Sequence, residues 1–151
     1  MKIKMISSIL PKITEESGAS AVEFAIILPL LVMFVFGIIE FSIMFYDKAV
    51  ITNASREGAR AGIVFADPRP DAAEIQSVVN NYANNMLITF GSPNLQVPPP
   101  TPCVDSGDEL TVTVTYEYDF LILPNILAAF LSGGSFGGGS TIGATTKMRC
   151  E

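Results

Sequence analysis

At 151 residues the chain has room for one small domain beside a long helix, and its mean hydropathy of +0.43 is that of a membrane-anchored chain. A net charge of −6, with nine scattered Lys and Arg, excludes a nucleic-acid footprint, so no nucleic-acid partner is expected. The absence of His, with only two Cys, removes His-based triads and most zinc spacings, and no cofactor or metal site is read.

Residues 1–17 carry Lys2, Lys4 and Lys12 among apolar residues, then Glu15 and Glu16. In a secretory signal the small residues of the cleavage site follow the apolar region. Here Gly18, Ala19, Ser20 and Ala21 precede it, so a cut at this point would retain the apolar segment. That segment opens on Glu23 and Phe24, runs uncharged from Ala25 to Ile39, and resumes from Phe41 to Tyr46 after one acid, Glu40. Its length of about 22 residues, or roughly 33 Å of helix, is enough to cross a hydrocarbon core. The lysines place the N-terminus in the cytoplasm and everything after Tyr46 on the far side of the membrane. A kink is expected at Pro29, inside the span. Glu23 alone reads as a first-turn acid favoured by the helix dipole. Glu40 reads either as an assembly contact or as a residue at the outer interface.

Beyond the span the helix is expected to continue as a stalk to about residue 65. Ala54, Gly58, Ala61 and Gly62 form a side-chain-poor face on it, open to another helix or sheet or packed on the chain's own domain. Arg56, Glu57 and Arg60 lie close enough for a local ion pair. Asp67-Pro68-Arg69-Pro70 breaks the helix, and Asp71 with Glu74 starts another in the manner of a capping box. Ile75, Val78, Val79, Tyr82 and Met86 make 72–88 an amphipathic helix, ended by Gly91-Ser92-Pro93. A short strand is expected over Leu95–Val97, before the extended Pro98–Pro100 run.

Glu109–Phe120 alternates without exception, with Leu110, Val112, Val114, Tyr116, Tyr118 and Phe120 on one face. Leu121–Leu131, broken by Pro124, is too short for a second span and reads as a loop or short helix on the core or membrane surface. The Gly/Ser-rich stretch 132–139 is a flexible connection. Thr141–Cys150 alternates again and pairs antiparallel with 109–119. The fold class is therefore α+β: a leader (1–18), a transmembrane and stalk helix (19–65), and a small domain (66–151) with one amphipathic helix and an antiparallel sheet. Cys103 and Cys150 both lie beyond the span, where a disulfide is the natural state outside the cytosol; two buried free thiols are the alternative. Asp105, Asp108 and Glu109 form an acidic cluster, read as a solvated turn rather than a calcium site because EF-hand spacing is absent.

Gly18-Ala19-Ser20-Ala21-Val22-Glu23-Phe24 resembles a type IV prepilin processing site: a Gly, four residues, then Glu and an aromatic before an apolar helix. The continuation Ala-Ile-Ile-Leu-Pro-Leu-Leu, followed by Ala54-Ser55-Arg56-Glu57-Gly58-Ala59-Arg60-Ala61, is similar to the TadE-like pseudopilins of the Flp (tight-adherence) pilus system. The ending Lys147-Met148-Arg149-Cys150-Glu151 resembles that family's C-terminal strand.

The resemblance implies a minor pilin-like subunit, not an enzyme, made in a bacterial inner membrane with its C-terminal domain in the periplasm. It implies cutting between Gly18 and Ala19 by a prepilin peptidase, and a role in assembling or priming a pilus for surface attachment. Glu23 and Phe24 would then act in assembly, and the partners would be other Tad pseudopilins, the assembly machinery and membrane lipid. The alternatives are an uncut, signal-anchored periplasmic interaction module and a tethered enzyme built on a carboxylate pair or a Ser/Lys site.

Overall fold

The computed structural model describes residues 15–89, 94–130 and 139–151. The lysine-bearing leader, the Gly91–Pro93 helix stop and residues 132–138 of the flexible connection lie outside the described residues. In chain order the elements are α1 (Glu15–Gly62), α2 (Ala72–Asn84), β1 (Asn94–Gln96), β2 (Glu109–Asp119), α3 (Leu123–Phe130) and β3 (Gly139–Arg149). The three strands form one antiparallel sheet in the order β1-β2-β3, so the α+β class read from the sequence holds. Packing divides the chain after Val35 into two compact units.

The described part of the first unit is the opening stretch of α1. From Gly18 its side chains are exposed, apart from the half-buried Pro29 and Met33, and they include Ile26, Ile27, Leu30, Leu31 and Phe34. The helix runs unbroken through Pro29. No side chain here has a hydrophobic core to enter. A helix apolar on every side is stable only in an apolar surrounding.

The second unit begins at Phe36 and contains the rest of α1. Ile51, Ala54 and Ala59 from α1, Ile75, Val79 and Ala83 from α2, and Leu110, Val112 and Val114 from β2 share one core. Each fully buried Val, Leu or Ile contributes about 1.5–3 kcal/mol. The core therefore exists because β2 alternates and because α1 turns small residues toward it. At Gly58 an added Cβ would stand 2.3 Å from Val79 Cγ2, and at Gly62 2.6 Å from Leu110 Cδ2 and 2.7 Å from Ile75 Cδ1. Glycine is required at both positions for α1 to approach α2 and β2 this closely.

Several boundaries differ from the sequence reading. α2 ends at Asn84, short of 88, and buries Ile75, Val79 and Ala83, while Met86 is exposed. The stop has a local cause, since Asn84 and Asn85 are weak helix formers, and a distant one, since Ile88 N–H is taken by Asp47 of α1. At the other end Asp71 and Glu74 do form a reciprocal capping box. β1 covers Asn94–Gln96 rather than Leu95–Val97, because Asn94 pairs with Glu117 while Val97 instead offers its carbonyl to Gln76. Phe120 leaves β2 and turns to stack edge-on against Phe41 and Tyr118, at 6.0 and 5.2 Å. β3 starts earlier, at Gly139 opposite Asp119, and ends at Arg149 opposite Glu109. α1 ends at Gly62 rather than 65.

Cys103 and Cys150 are bonded and nearly buried, closing 47 residues of chain. The bridge sits where β3, the turn before β2 and the end of α1 converge. Cys150 N–H donates to Asp108 O at 2.8 Å, Gly107 N–H to Cys150 O at 2.9 Å, and Glu151 N–H to Ile63 O at 3.1 Å. Gly107 supplies the positive φ, +97°, that this turn needs.

Candidate functional site

Gly18 to Phe24 lies wholly on α1 with every side chain exposed. A Cβ built on Gly18 meets nothing within 4 Å, in contrast to Gly58 and Gly62. The chain's own packing therefore does not require glycine at 18; Gly37, further along the helix, is equally free. Among the described residues Glu23 has no ion-pair partner, and Phe24 is 62% exposed. This segment performs no chemistry by itself. What it offers is a side-chain-free position followed, five residues on, by a lone carboxylate at the head of an apolar helix.

The other acid of the apolar run is engaged. Glu40 is 3% exposed, and its two carboxylate oxygens accept the N–H of Ile122 at 2.6 Å and of Leu123 at 2.9 Å. Those amides open α3, where N–H groups have no partner within the helix. Residues 120–122, Phe-Leu-Ile, contain no Ser, Thr, Asp or Asn to cap it. The carboxylate of Glu40 takes that role from 82 residues away, and its charge suits the positive end of the helix. Tyr118 O–H donates to the Glu40 carbonyl at 3.2 Å, tying the end of β2 to the same turn of α1. Neither of the two roles read for Glu40 anticipated this one.

Seven residues on, Asp47 is fully buried. Its Oδ1 accepts Ile88 N–H at 3.0 Å, and its Oδ2 has no hydrogen-bond partner among the described residues. Burial pushes its carboxyl pKa up, opposed in part by the Ile88 N–H. Nearby, burial first, and then the charges of Asp47 and Asp119, push the Tyr116 phenol up to about 12. Glu40, Asp47 and Ala54 recur every seven residues, so two acids share the stripe of small core residues. That repeat was the available signal for their burial.

Of the small-residue set, Ala54, Gly58 and Gly62 are buried against the chain's own α2 and sheet, and Ala61 is half-buried beside them. The face read as open to a partner is largely occupied from within. Ser55 Oγ bonds Thr146 Oγ1 at 2.7 Å, and Lys48 Nζ donates to the Gly143 carbonyl, so α1 also grips β3. Arg60 and Glu57 form an exposed pair at 2.8 Å. In the acidic turn Asp108 accepts the N–H groups of Asp105 and Val104, and Glu109 pairs with Lys147 at 2.7 Å. No acid cluster suited to a metal occurs among the described residues.

No curated protein and no solved structure matches the chain. A family model does match, described as TadE-like protein, and it covers residues 18–60. The match stops short of the sheet, so the likeness read in Lys147–Glu151 lies beyond it. It takes in Gly18, Glu23 and Phe24, the apolar helix with Pro29, and the Ala54–Arg60 segment: over these residues the chain is similar to TadE-like proteins.

Proposed function

We propose that this chain is a minor pseudopilin of a Flp/Tad pilus, held in the bacterial inner membrane by α1 with its lysine-bearing leader in the cytoplasm and its sheet domain in the periplasm. A prepilin peptidase removes the leader between Gly18 and Ala19. The mature subunit then works with other Tad pseudopilins and the assembly machinery to prime or build a pilus used in adhesion. The observation that carries this reading is the TadE-like match starting at Gly18, a glycine that no packing contact among the described residues demands. A residue free of internal constraint at a motif position points to an external reader, and a peptidase cleft is such a reader. Cys103–Cys150 agrees with a periplasmic location, since thiols stay reduced in the cytosol.

Cleavage exposes the Ala19 amine about one helical turn from Glu23. Where apolar helices of neighbouring subunits pack side by side, an unpaired carboxylate is costly to desolvate. Glu23 pairs with the amine of a neighbour, offsetting both charges and fixing the stagger. Before cleavage that cation is absent, so processing licenses assembly. The test is the intact mass of the protein from host membranes, for the parent and for Gly18→Leu and Glu23→Gln. The parent should lose residues 1–18, Gly18→Leu should keep them, and Glu23→Gln should be cut yet fail to assemble. An uncut parent would make the chain a signal-anchored periplasmic module instead.

A further inference from the structure

The charge-free run from Phe24 to Ile39 spans about 24 Å of helix, less than the roughly 30 Å of a hydrocarbon core. If α1 crosses the bilayer with Glu23 at the inner edge of the span, Glu40 and the turn after it lie within the membrane boundary. Yet these residues already belong to the second compact unit. Whatever packs at Glu40 goes there with it. The amino end of α3 does, through the two amides on the Glu40 carboxylate, and so does Phe120, stacked on Phe41.

The composition at this end suits that position. No charged residue occurs from 120 to 146, or from 75 to 104. Phe41, Phe45 and Tyr46 of α1, Met86 and Ile88 after α2, and Leu121 before α3 are large apolar residues between 41% and 65% exposed. In water they would be an unexplained cost. Among the described residues, the two α1 carboxylates that hold this end, Glu40 at α3 and Asp47 at Ile88, are both enclosed by protein. The exposed acids Glu117 and Asp119 lie on the outer face of β2, which limits the depth of immersion.

Resting on the membrane-spanning reading of α1, we infer that this end of the folded unit is itself a lipid-binding surface. Leu121 with the start of α3, and the Met86–Ile88 turn, lie at the headgroup–acyl boundary, buried by about 5–10 Å as interfacial helices are. The outer face of the sheet stays in water. The occupant is the outer leaflet of the same bilayer that α1 crosses, because the apolar surface is continuous with the span through Phe41 and Phe45. Glu40 makes this possible. By capping α3 it removes at once the helix's unpaired amides and its own charge from contact with lipid.

The chain contains no Trp, so single tryptophans report position directly. The full chain would be reconstituted in phosphatidylcholine–phosphatidylglycerol vesicles, with and without dibrominated phosphatidylcholine. Leu121→Trp is the test and Ile88→Trp its replacement should the first variant not form the Cys103–Cys150 bond; Phe34→Trp marks the span and Thr145→Trp the outer sheet. The test tryptophan should emit to the blue of Thr145→Trp and lose as large a fraction of its intensity to bromine as Phe34→Trp, while Thr145→Trp loses none. A test tryptophan that stays red-shifted and unquenched beside a quenched Phe34→Trp overturns the inference and leaves the span intact. Blue-shifted but unquenched emission means a protein cover, such as a second copy, and overturns it too. An unquenched Phe34→Trp removes the span, and the inference with it.

Discussion

Two stretches of the same helix obey different rules. From Gly18 to Val35, α1 is apolar on every side and touches no core, so its residues answer to composition and length. From Glu40 to Gly62 positions 40, 47, 50, 51, 54, 55, 58, 59 and 62 are buried within the second unit, so they answer to identity. Continuous secondary structure therefore does not mean continuous constraint. The TadE-like match, over residues 18–60, takes in both a part without core contacts and a part shaped by the chain's own core.

The largest expected effect lies in the second stretch. Replacing both Cys103 and Cys150 with Ser removes a 47-residue closure worth about 4 kcal/mol of stability. Circular dichroism melts in detergent should show the sheet lost early while helical signal from the span persists. An unchanged melt would mean that the second unit needs no covalent closure and is as self-sufficient as the first. Next comes a glycine pair. Gly58→Ala forces a methyl against Val79, a stiff, fully buried side chain, and should cost about 1–3 kcal/mol by overpacking. Gly37→Ala, with nothing within 4 Å, should leave the melt where it was. Equal effects at the two positions would mean that the cost at Gly58 does not come from close packing.

Glu40→Gln is smaller. The amide can still accept one N–H of α3 but loses the charge, so a loss of about 1–2 kcal/mol is expected, in the range of a helix cap. Hydrogen exchange at Leu123 would report it, and unchanged protection would remove the capping role.

Asp47→Asn has an effect whose sign depends on pH. The folded pKa of Asp47 lies above its unfolded value of 3.8, so the folded state holds the proton more tightly. Its contribution is therefore fully present below 3.8 and is lost as pH rises through the folded value. The substituted amide keeps an acceptor for the Ile88 N–H and carries no charge, so the variant should melt above the parent at neutral pH. The gap should close toward pH 4. A constant gap would assign the effect to something other than ionisation.

Much of this was legible beforehand because it depends on local pattern. β2 alternates strictly, Asp71 and Glu74 sit at capping-box spacing, and the apolar run is a plain length-and-polarity signal; the strand, the cap and a long apolar helix all reappear in the fold. The disulfide was legible from compartment logic. What local pattern missed depends on distant chain. Nothing near α3 says that its cap is Glu40, and nothing near α2 says that it stops because Asp47 claims Ile88. The small-residue face showed where something would approach closely, and left open that it would be α2 and the sheet of the same chain. At Gly18–Phe24 the fold adds nothing to the sequence reading, since these side chains are exposed and meet no core among the described residues.

The Glu40 cap also sets an order of events in time. On the membrane-spanning reading, residues 24–46 enter the bilayer while the chain is still being made. The amides that receive Glu40 lie 82 residues further on, a delay of roughly 4–16 s at typical synthesis rates of about 5–20 residues per second. For that interval the acid has no α3 to hold. The young protein must keep Glu40 at the wet edge of the membrane, with its span drawn outward, and settle to its final depth only when α3 arrives. Insertion and folding are then successive positions of one helix, and the carboxylate marks the moment of passage between them.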